Sequence, residues 1–363
     1  MKVAVLVSGG VDSSVALYRL REEGHDLCAF YLKIWLEDDV AHLGDCPWET
    51  DLTFVRDVCA ALDVPLRIVS LQREYWDNVV QYTIDEVQAG RTPNPDIFCN
   101  HLIKFGKFYE RIGDEFDAVA TGHYARKRVV EGVHQLCCAE DPRKDQTYFL
   151  AHLTQEQLRR ALFPIGSLPK AEVRALAERV GLPTATRRDS QGICFLGTIR
   201  FSEFIAHHLG ERRGELIEFE SGERKGFHRG YWYFTIGQRH GIGLHGGPWY
   251  VVRRDVEGNR VYISRQYHSS AIQRNRFRAE GLHWISGYRP PLYGDVELRV
   301  KVRHGEHAYG ARVAFAADGS ADVRLDSDDQ GLAAGQFAVF YDQDLCLGSG
   351  VIVTDGAQPL APS

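Results

Sequence analysis

An apolar run at residues 2–7 (KVAVLV) breaks directly into Ser8-Gly9-Gly10-Val11-Asp12-Ser13-Ser14, and residues 12–23 then carry a helix pattern ended by Gly24. A short run without polar alternation reads as a strand buried on both faces, the condition of a parallel sheet. The pattern recurs. Strand-like 26–34 precedes helix-like 51–62, strand-like 65–71 precedes helix-like 74–90, and strand-like 117–122 follows a helical stretch ending at Gly113. Alternation at this spacing predicts an α/β fold, a doubly wound parallel sheet with ligands at the carboxyl ends of its strands. Residues 126–138 predict a hairpin and 169–182 a proline-started helix. Beyond about residue 205, alternating apolar residues, frequent glycines and aromatic clusters predict short strands and loops. The expected division is an α/β domain over 1–203, a mainly β domain over 204–268, a β-barrel-like domain over 269–354 and a disordered tail over 355–363.

At 363 residues the chain is too long for one ordinary core, and its 44% hydrophobic and 25% charged content is that of a globular protein. No apolar stretch approaches a membrane span, and the N-terminal run is too short for a leader, so a cytoplasmic protein is expected. Eight cysteines are too sparse for a disulfide scaffold and should be reduced thiols unless they do chemistry. The net charge of −6 conceals an asymmetry: residues 1–100 hold 8 Lys/Arg against 17 Asp/Glu, whereas 253–303 hold 11 against 5. That second segment can face a polyanion through residues such as Arg274, Arg276 and Arg278, or be a solvated face of a β domain.

The small residues of 8–14 let a backbone approach an anion, and amides with serine hydroxyls at a helix N-terminus form a phosphate cradle. The segment is neither G-x-x-x-x-G-K-[ST] nor G-x-G-x-x-G. Two further loops each end in a thiol. In Gly90-Arg91-Thr92-Pro93-Asn94-Pro95-Asp96-Ile97-Phe98-Cys99-Asn100 the prolines predict an extended loop presenting a carboxylate and a thiol three residues apart. The other is Asp189-Ser190-Gln191-Gly192-Ile193-Cys194-Phe195-Leu196-Gly197. Either cysteine alone would read as a packing residue. Cys28, Cys59, Cys137, Cys138 and Cys346 keep that reading, and His42 with Cys46 lacks a second ligand pair for zinc.

The glycine-rich segment resembles the PP-loop of ATP pyrophosphatases. With TPNPDIFCN, ATGHYAR, KDQTYFL, DSQGICFLG and GQFAVFY, nearly the whole chain resembles the tRNA-specific 2-thiouridylase family. That resemblance implies ATP-dependent replacement of O2 of the wobble uridine by sulfur, with ATP and Mg²⁺ as cofactors. It implies nucleotide contacts from Leu6, Val7, Ser8, Gly9, Gly10, Val11, Asp12, Ser13, Leu32 and Gly122. It gives Cys194 as the persulfide carrier, Cys99 as the partner thiol and Asp96 as an acid/base group; the same residues could instead hold an iron–sulfur cluster. Asn94, Pro95 and Asp96 fall beside the target base, and His123, Lys144, Asp145, Gln146, Arg303, His304 and Gln336 at tRNA-facing positions. Gly305 departs from the basic run usual after Arg303-His304. The implied partners are tRNA and a sulfur donor, acting on a monomer with no membrane. Rival readings are an adenylating synthetase for a small acid, and a non-catalytic tRNA-binding protein.

The chemistry is consistent with that resemblance. Uracil C2 is urea-like and a poor electrophile, so its oxygen must become a leaving group, and adenylation supplies one. A persulfide is a soft nucleophile at neutral pH, and a second thiolate can accept the exchange.

Overall fold

The computed structural model describes residues 1–34, 48–189, 199–266, 272, 274–290 and 294–354. Strands β1 (Lys2–Leu6), β2 (Asp26–Lys33), β3 (Leu66–Ser70) and β4 (Ala118–Ala120) belong to one parallel sheet. The hairpin β5 (Arg126–Val130) and β6 (Val133–Cys137) lies outside it, and β7 (Ala161–Leu162) completes the order β3-β2-β1-β4-β7. The chain winds outward from β1 in one direction and returns on its other side at β4. The crevice of a doubly wound sheet therefore opens between the ends of β1 and β4.

The apolar run of β1 is explained by its two covered faces. Val3 and Val5 pack with α1 (Val11–Glu22), α2 (Trp48–Leu62) and α7 (Lys170–Arg179). Ala4 and Leu6 face the other way, toward helical runs α3 (72–88) and α4 (95–112). Short helices α5 (Thr147–Leu150) and α6 (Gln155–Arg160) follow the hairpin, and α8 (Phe201–Leu209) leads into the second half.

The middle sheet has the order β10-β11-β8-β9, from β8 (Gly214–Glu218), β9 (Arg224–His228), β10 (Tyr250–Asp255) and β11 (Arg260–Ser264). The last six strands are β12 (Arg276–Trp284), β13 (Asp295–Lys301), β14 (Tyr309–Phe315), β15 (Ala321–Leu325), β16 (Phe337–Asp342) and β17 (Leu345–Val353). They close into a barrel, because β17 pairs with both β16 and β12.

The structure departs from the sequence-based expectations in three ways. The segment from Pro95 onward is helical, not extended: proline at the first helical position suits a helix start, and Asp96 and Cys99 thereby share one helix face. Cys99 opens a nine-residue π-helical stretch inside α4. The hairpin is not confined to the first domain, since Leu345 and Cys346 of β17 pair with Cys137 and Leu136 of β6. One core accordingly runs from Leu6 and Phe30 through Cys99 and Leu150 to Phe337, Val339 and Tyr341. The fifth parallel strand, β7, is two residues long and carries no period to read.

Candidate active site

At the end of β1 the backbone turns through Gly9, whose φ of +78° is a left-handed conformation. A Cβ at Gly9 would lie 2.7 Å from both the Asp51 carbonyl oxygen and an Arg187 guanidinium nitrogen. Ser13 Oγ donates to the Gly10 carbonyl at 3.1 Å and accepts from the Ser8 amide at 3.2 Å, and Ser14 Oγ donates to the same carbonyl at 2.9 Å. These bonds fix the turn with the first-turn amides of the 12-residue α1 at its mouth, where a helix has no internal partners for them. Gly122, just past β4, closes the cradle from the opposite strand: a Cβ there would lie 2.7 Å from the Ser13 amide nitrogen. Leu6, Val7 and Val11 are buried and give the loop its backbone course, while Leu32 packs at the end of β2.

Asp12, in the first turn of α1, is the loop's one carboxylate. Lys170 Nζ reaches its two oxygens at 2.6 and 2.8 Å, and the Tyr124 hydroxyl donates to it at 2.7 Å. Lys170 also meets Asp189 at 2.8 Å, which Lys144 and Arg174 approach at 2.7 and 2.5 Å. Burial would raise the Asp189 carboxyl, but hydrogen bonds and charge from Lys144 and Lys170 outweigh it and hold the group well below the usual carboxylate range. Arg187 donates to the Gly9 carbonyl at 2.7 Å and pairs with Asp51. Tyr124, Lys170 and Arg187 were not singled out from sequence. Lys170 had one signal, a cation at the start of a predicted helix, where the dipole disfavours it.

The thiol-bearing segment is pinned from the barrel. Gln336 Nε2 donates to the Pro93 carbonyl at 3.0 Å, and its Oε1 accepts from Asn94 at 3.3 Å. Asn94 and Gln336 therefore hold each other, with Tyr148 beneath them donating to the Phe337 carbonyl at 3.1 Å. Pro95 is buried, Cys99 is 0% exposed, and Asp96 Oδ1 is buried with no hydrogen-bond partner among the described residues. An orphaned carboxylate oxygen one helical turn from a thiol is costly unless a ligand uses it. Cys194 lies outside the described residues, as do His42 and Cys46; Asp189 is the last described residue before the Cys194 segment.

The remaining polar positions divide. His123 sits between Phe105 and Phe163 with Nδ1 2.7 Å from Thr121 Oγ1, and burial keeps its imidazole well below the usual value. Gln146 Oε1 accepts from the Tyr124 amide at 3.0 Å. Asp145 faces inward, paired with Lys301 of the barrel at 2.9 Å, the two side chains 2% and 4% exposed. His304 lies over Phe149 with ring centroids 4.4 Å apart, and Arg303 pairs with Asp329. The arginine-rich segment is not a bare basic face. Arg254 and Arg274 are turned inward onto backbone carbonyls, and Arg278 faces Glu280, Asp318 and Asp322. Arg276 remains exposed.

The chain matches three family models in succession: a tRNA methyl transferase HUP domain over 1–198, a tRNA methyl transferase PRC-barrel domain over 202–265 and an aminomethyltransferase beta-barrel domain over 274–352. It is 45% identical over 365 residues to the tRNA-specific 2-thiouridylase MnmA of Parabacteroides distasonis, covering 98% of this chain and 99% of that protein. The chain belongs to the tRNA-specific 2-thiouridylase family. Another of these 2-thiouridylases, from Porphyromonas gingivalis, is 45% identical over 362 residues, covering 97% of this chain and 99% of its own. Among solved structures, the U34-tRNA thiolase NcsA from Methanococcus maripaludis is 20% identical, with a TM-score of 0.35 over 53% of this chain and 61% of that one. Membership in the 2-thiouridylase family makes this chain a tRNA-uridine 2-sulfurtransferase.

Proposed function

We propose that the protein carries out ATP-dependent 2-thiolation of the wobble uridine of tRNA, with the adenylation at the β1–β4 crevice and the sulfur chemistry at Cys99 and Cys194. The observation that carries this reading is a phosphate cradle at the ends of β1 and β4, with α1 on one face of the sheet, and on the other face a helix whose Asp96 oxygen, one turn before Cys99, has no hydrogen-bond partner among the described residues. Backbone from Leu6 to Ser13, with Leu32 and Gly122, would receive the nucleotide. Asp12 fits a divalent cation, because its carboxylate stands at the mouth of the cradle and already attracts an ammonium. Mg²⁺ held by Asp12 would supply positive charge against the negative charge of the phosphates.

In this reading uracil O2 attacks the α-phosphorus, the α–β anhydride bond breaks and pyrophosphate leaves. The outer sulfur of a Cys194 persulfide then bonds to C2, and the C2–O bond breaks as AMP departs. Cys99 thiolate attacks Cys194 Sγ, forming their disulfide and leaving the sulfur on C2; an external thiol later reduces that disulfide. Asp96 holds or moves a proton at the uracil edge. Asn94 and Pro95 set the height of that segment, and His123, Lys144, Gln146, Arg303, His304 and Gln336 line the approach of the RNA. Asp145 anchors the Lys144–Gln146 loop from below. The enzyme works as a cytoplasmic monomer fed by a sulfur donor; among the described residues no helix is long and apolar enough to cross a membrane.

The test is pyrophosphate release with tRNA, with small acids and with no acceptor, alongside mass spectrometry of nucleosides from the treated tRNA. Release that requires tRNA and yields 2-thiouridine is expected, with multiple-turnover formation of 2-thiouridine abolished in Cys99→Ser and Cys194→Ser but retained in Cys28→Ser. Release driven by a small acid would overturn the reading.

A further inference from the structure

The phosphate-binding loop has no lysine of its own, yet a lysine stands at its mouth. Lys170 is the first residue of α7 and crosses the site to place Nζ on both oxygens of Asp12, with its side chain 12% exposed. The position is unfavourable for a structural cation, since it opposes the helix dipole and burying a lysine stem costs rotamer freedom. Each partner also has other contacts. Asp189 keeps Lys144 and Arg174 without it, and Asp12 keeps the Tyr124 hydroxyl. The backbone amide of Lys170 is tied to Asp141 Oδ2 at 3.0 Å, so the main chain stays in place while the four-carbon stem can swing.

We propose that Lys170 is a catalytic residue of the adenylation step: an ammonium that rests on Asp12 in the nucleotide-free protein and moves onto the phosphates once Asp12 takes a divalent cation. This rests on the function proposed above. As uracil O2 bonds to the α-phosphorus and the α–β bond breaks, the electron pair goes to the departing pyrophosphate oxygen. Lys170 meets the charge that gathers there, and no proton is transferred. The lysine that the loop lacks is thus delivered from α7, along with a link through Asp189 to the Lys144 loop.

Two titrations of the full chain without tRNA separate this role from a packing role: Mn²⁺ binding by electron paramagnetic resonance without nucleotide, and ATP binding by calorimetry with Mg²⁺. Lys170→Met should tighten Mn²⁺ by ~5-fold or more, because Asp12 loses a competing cation, and weaken ATP by ~10-fold or more. Its tRNA-dependent pyrophosphate release should fall by ~100-fold. Lys170→Gln, which can still hydrogen-bond Asp12, should show both affinity changes in the same directions and serves if the Met variant does not fold. Affinities that stay unchanged, or that both weaken, overturn the assignment. A wild-type chain that releases no pyrophosphate with tRNA would instead overturn the function, while the opposed Mn²⁺ and ATP shifts would still stand as evidence for the exchanging lysine.

Discussion

At Gly122 the obstacle to a side chain is the Asp12–Ser13 backbone: the Ser13 amide nitrogen at 2.7 Å, the Asp12 carbonyl carbon and the Ser13 Cα at 2.9 Å. Nothing flexible can give way, so Gly122→Ala should push the phosphate loop off β4 and weaken ATP binding by ~10-fold or more while far-UV circular dichroism stays unchanged. Calorimetric binding equal to wild type would show that the loop tolerates the shift. A different residue-scale effect sits at the seam between the first domain and the barrel. His152 packs against His283 at 4.5 Å and His101 at 5.2 Å between ring centroids, and burial, aided by those two neighbours, pushes its imidazole down to about 3. The unfolded chain would titrate near ~6.5, so between those values the unfolded state binds the extra proton and stability falls with pH. The contribution is complete above pH ~6.5 and is lost as pH drops toward ~3. Urea midpoints measured at pH 7.5 and 5.0 should therefore fall, and fall less in His152→Gln.

At the scale of elements, the parallel sheet was legible because β1 and β2 are apolar on both faces and their helices carry a 3.6-residue period. The helix at Pro95 was misread because two prolines argue for extension, and only context shows that one of them starts a helix. The β6–β17 pairing left no local trace, since each strand reads as an ordinary edge of its own unit. The Asp145–Lys301 pair that accompanies it was equally hidden: Asp145 follows Lys144 in a polar loop and looks exposed from sequence, yet it also accepts from the Ala139 amide at 3.0 Å and from Thr147. Removing one partner of such a pair strands the other in a dry interior. Lys301→Met should lower stability by ~3–5 kcal/mol in urea unfolding, and the Asp145→Asn partner change should recover part of it. A Lys301→Met chain with a wild-type midpoint would mean the pair is no anchor.

Across the whole molecule, residue order displays three motifs, the Cys194 one lying outside the described residues, but not the destination of its charges. Ten arginines and a lysine in 253–303 look alike in a charge count, whereas folding buries Arg274, half-buries Arg254 against a backbone carbonyl, pairs Arg278 with acids and leaves Arg276 in water. Loss of hydration brings the Arg254 guanidinium down to about 10. Arg274→Ala should thus lower the urea midpoint and leave the salt dependence of tRNA binding unchanged, whereas Arg276→Ala should reduce the slope of log K against log salt by at most ~1 without touching stability. Equal effects from the two variants would restore the basic-face reading. The junction of β6 with β17 bears on how the protein is made. Cys137 and its partner Leu345 are 208 positions apart. At ~5–20 residues per second, a ribosome leaves the open edge of the hairpin waiting roughly 10–40 s for the strand that covers it. During that interval a chaperone, or the crowding of neighbouring nascent chains, decides whether the edge meets its own strand or a stranger's.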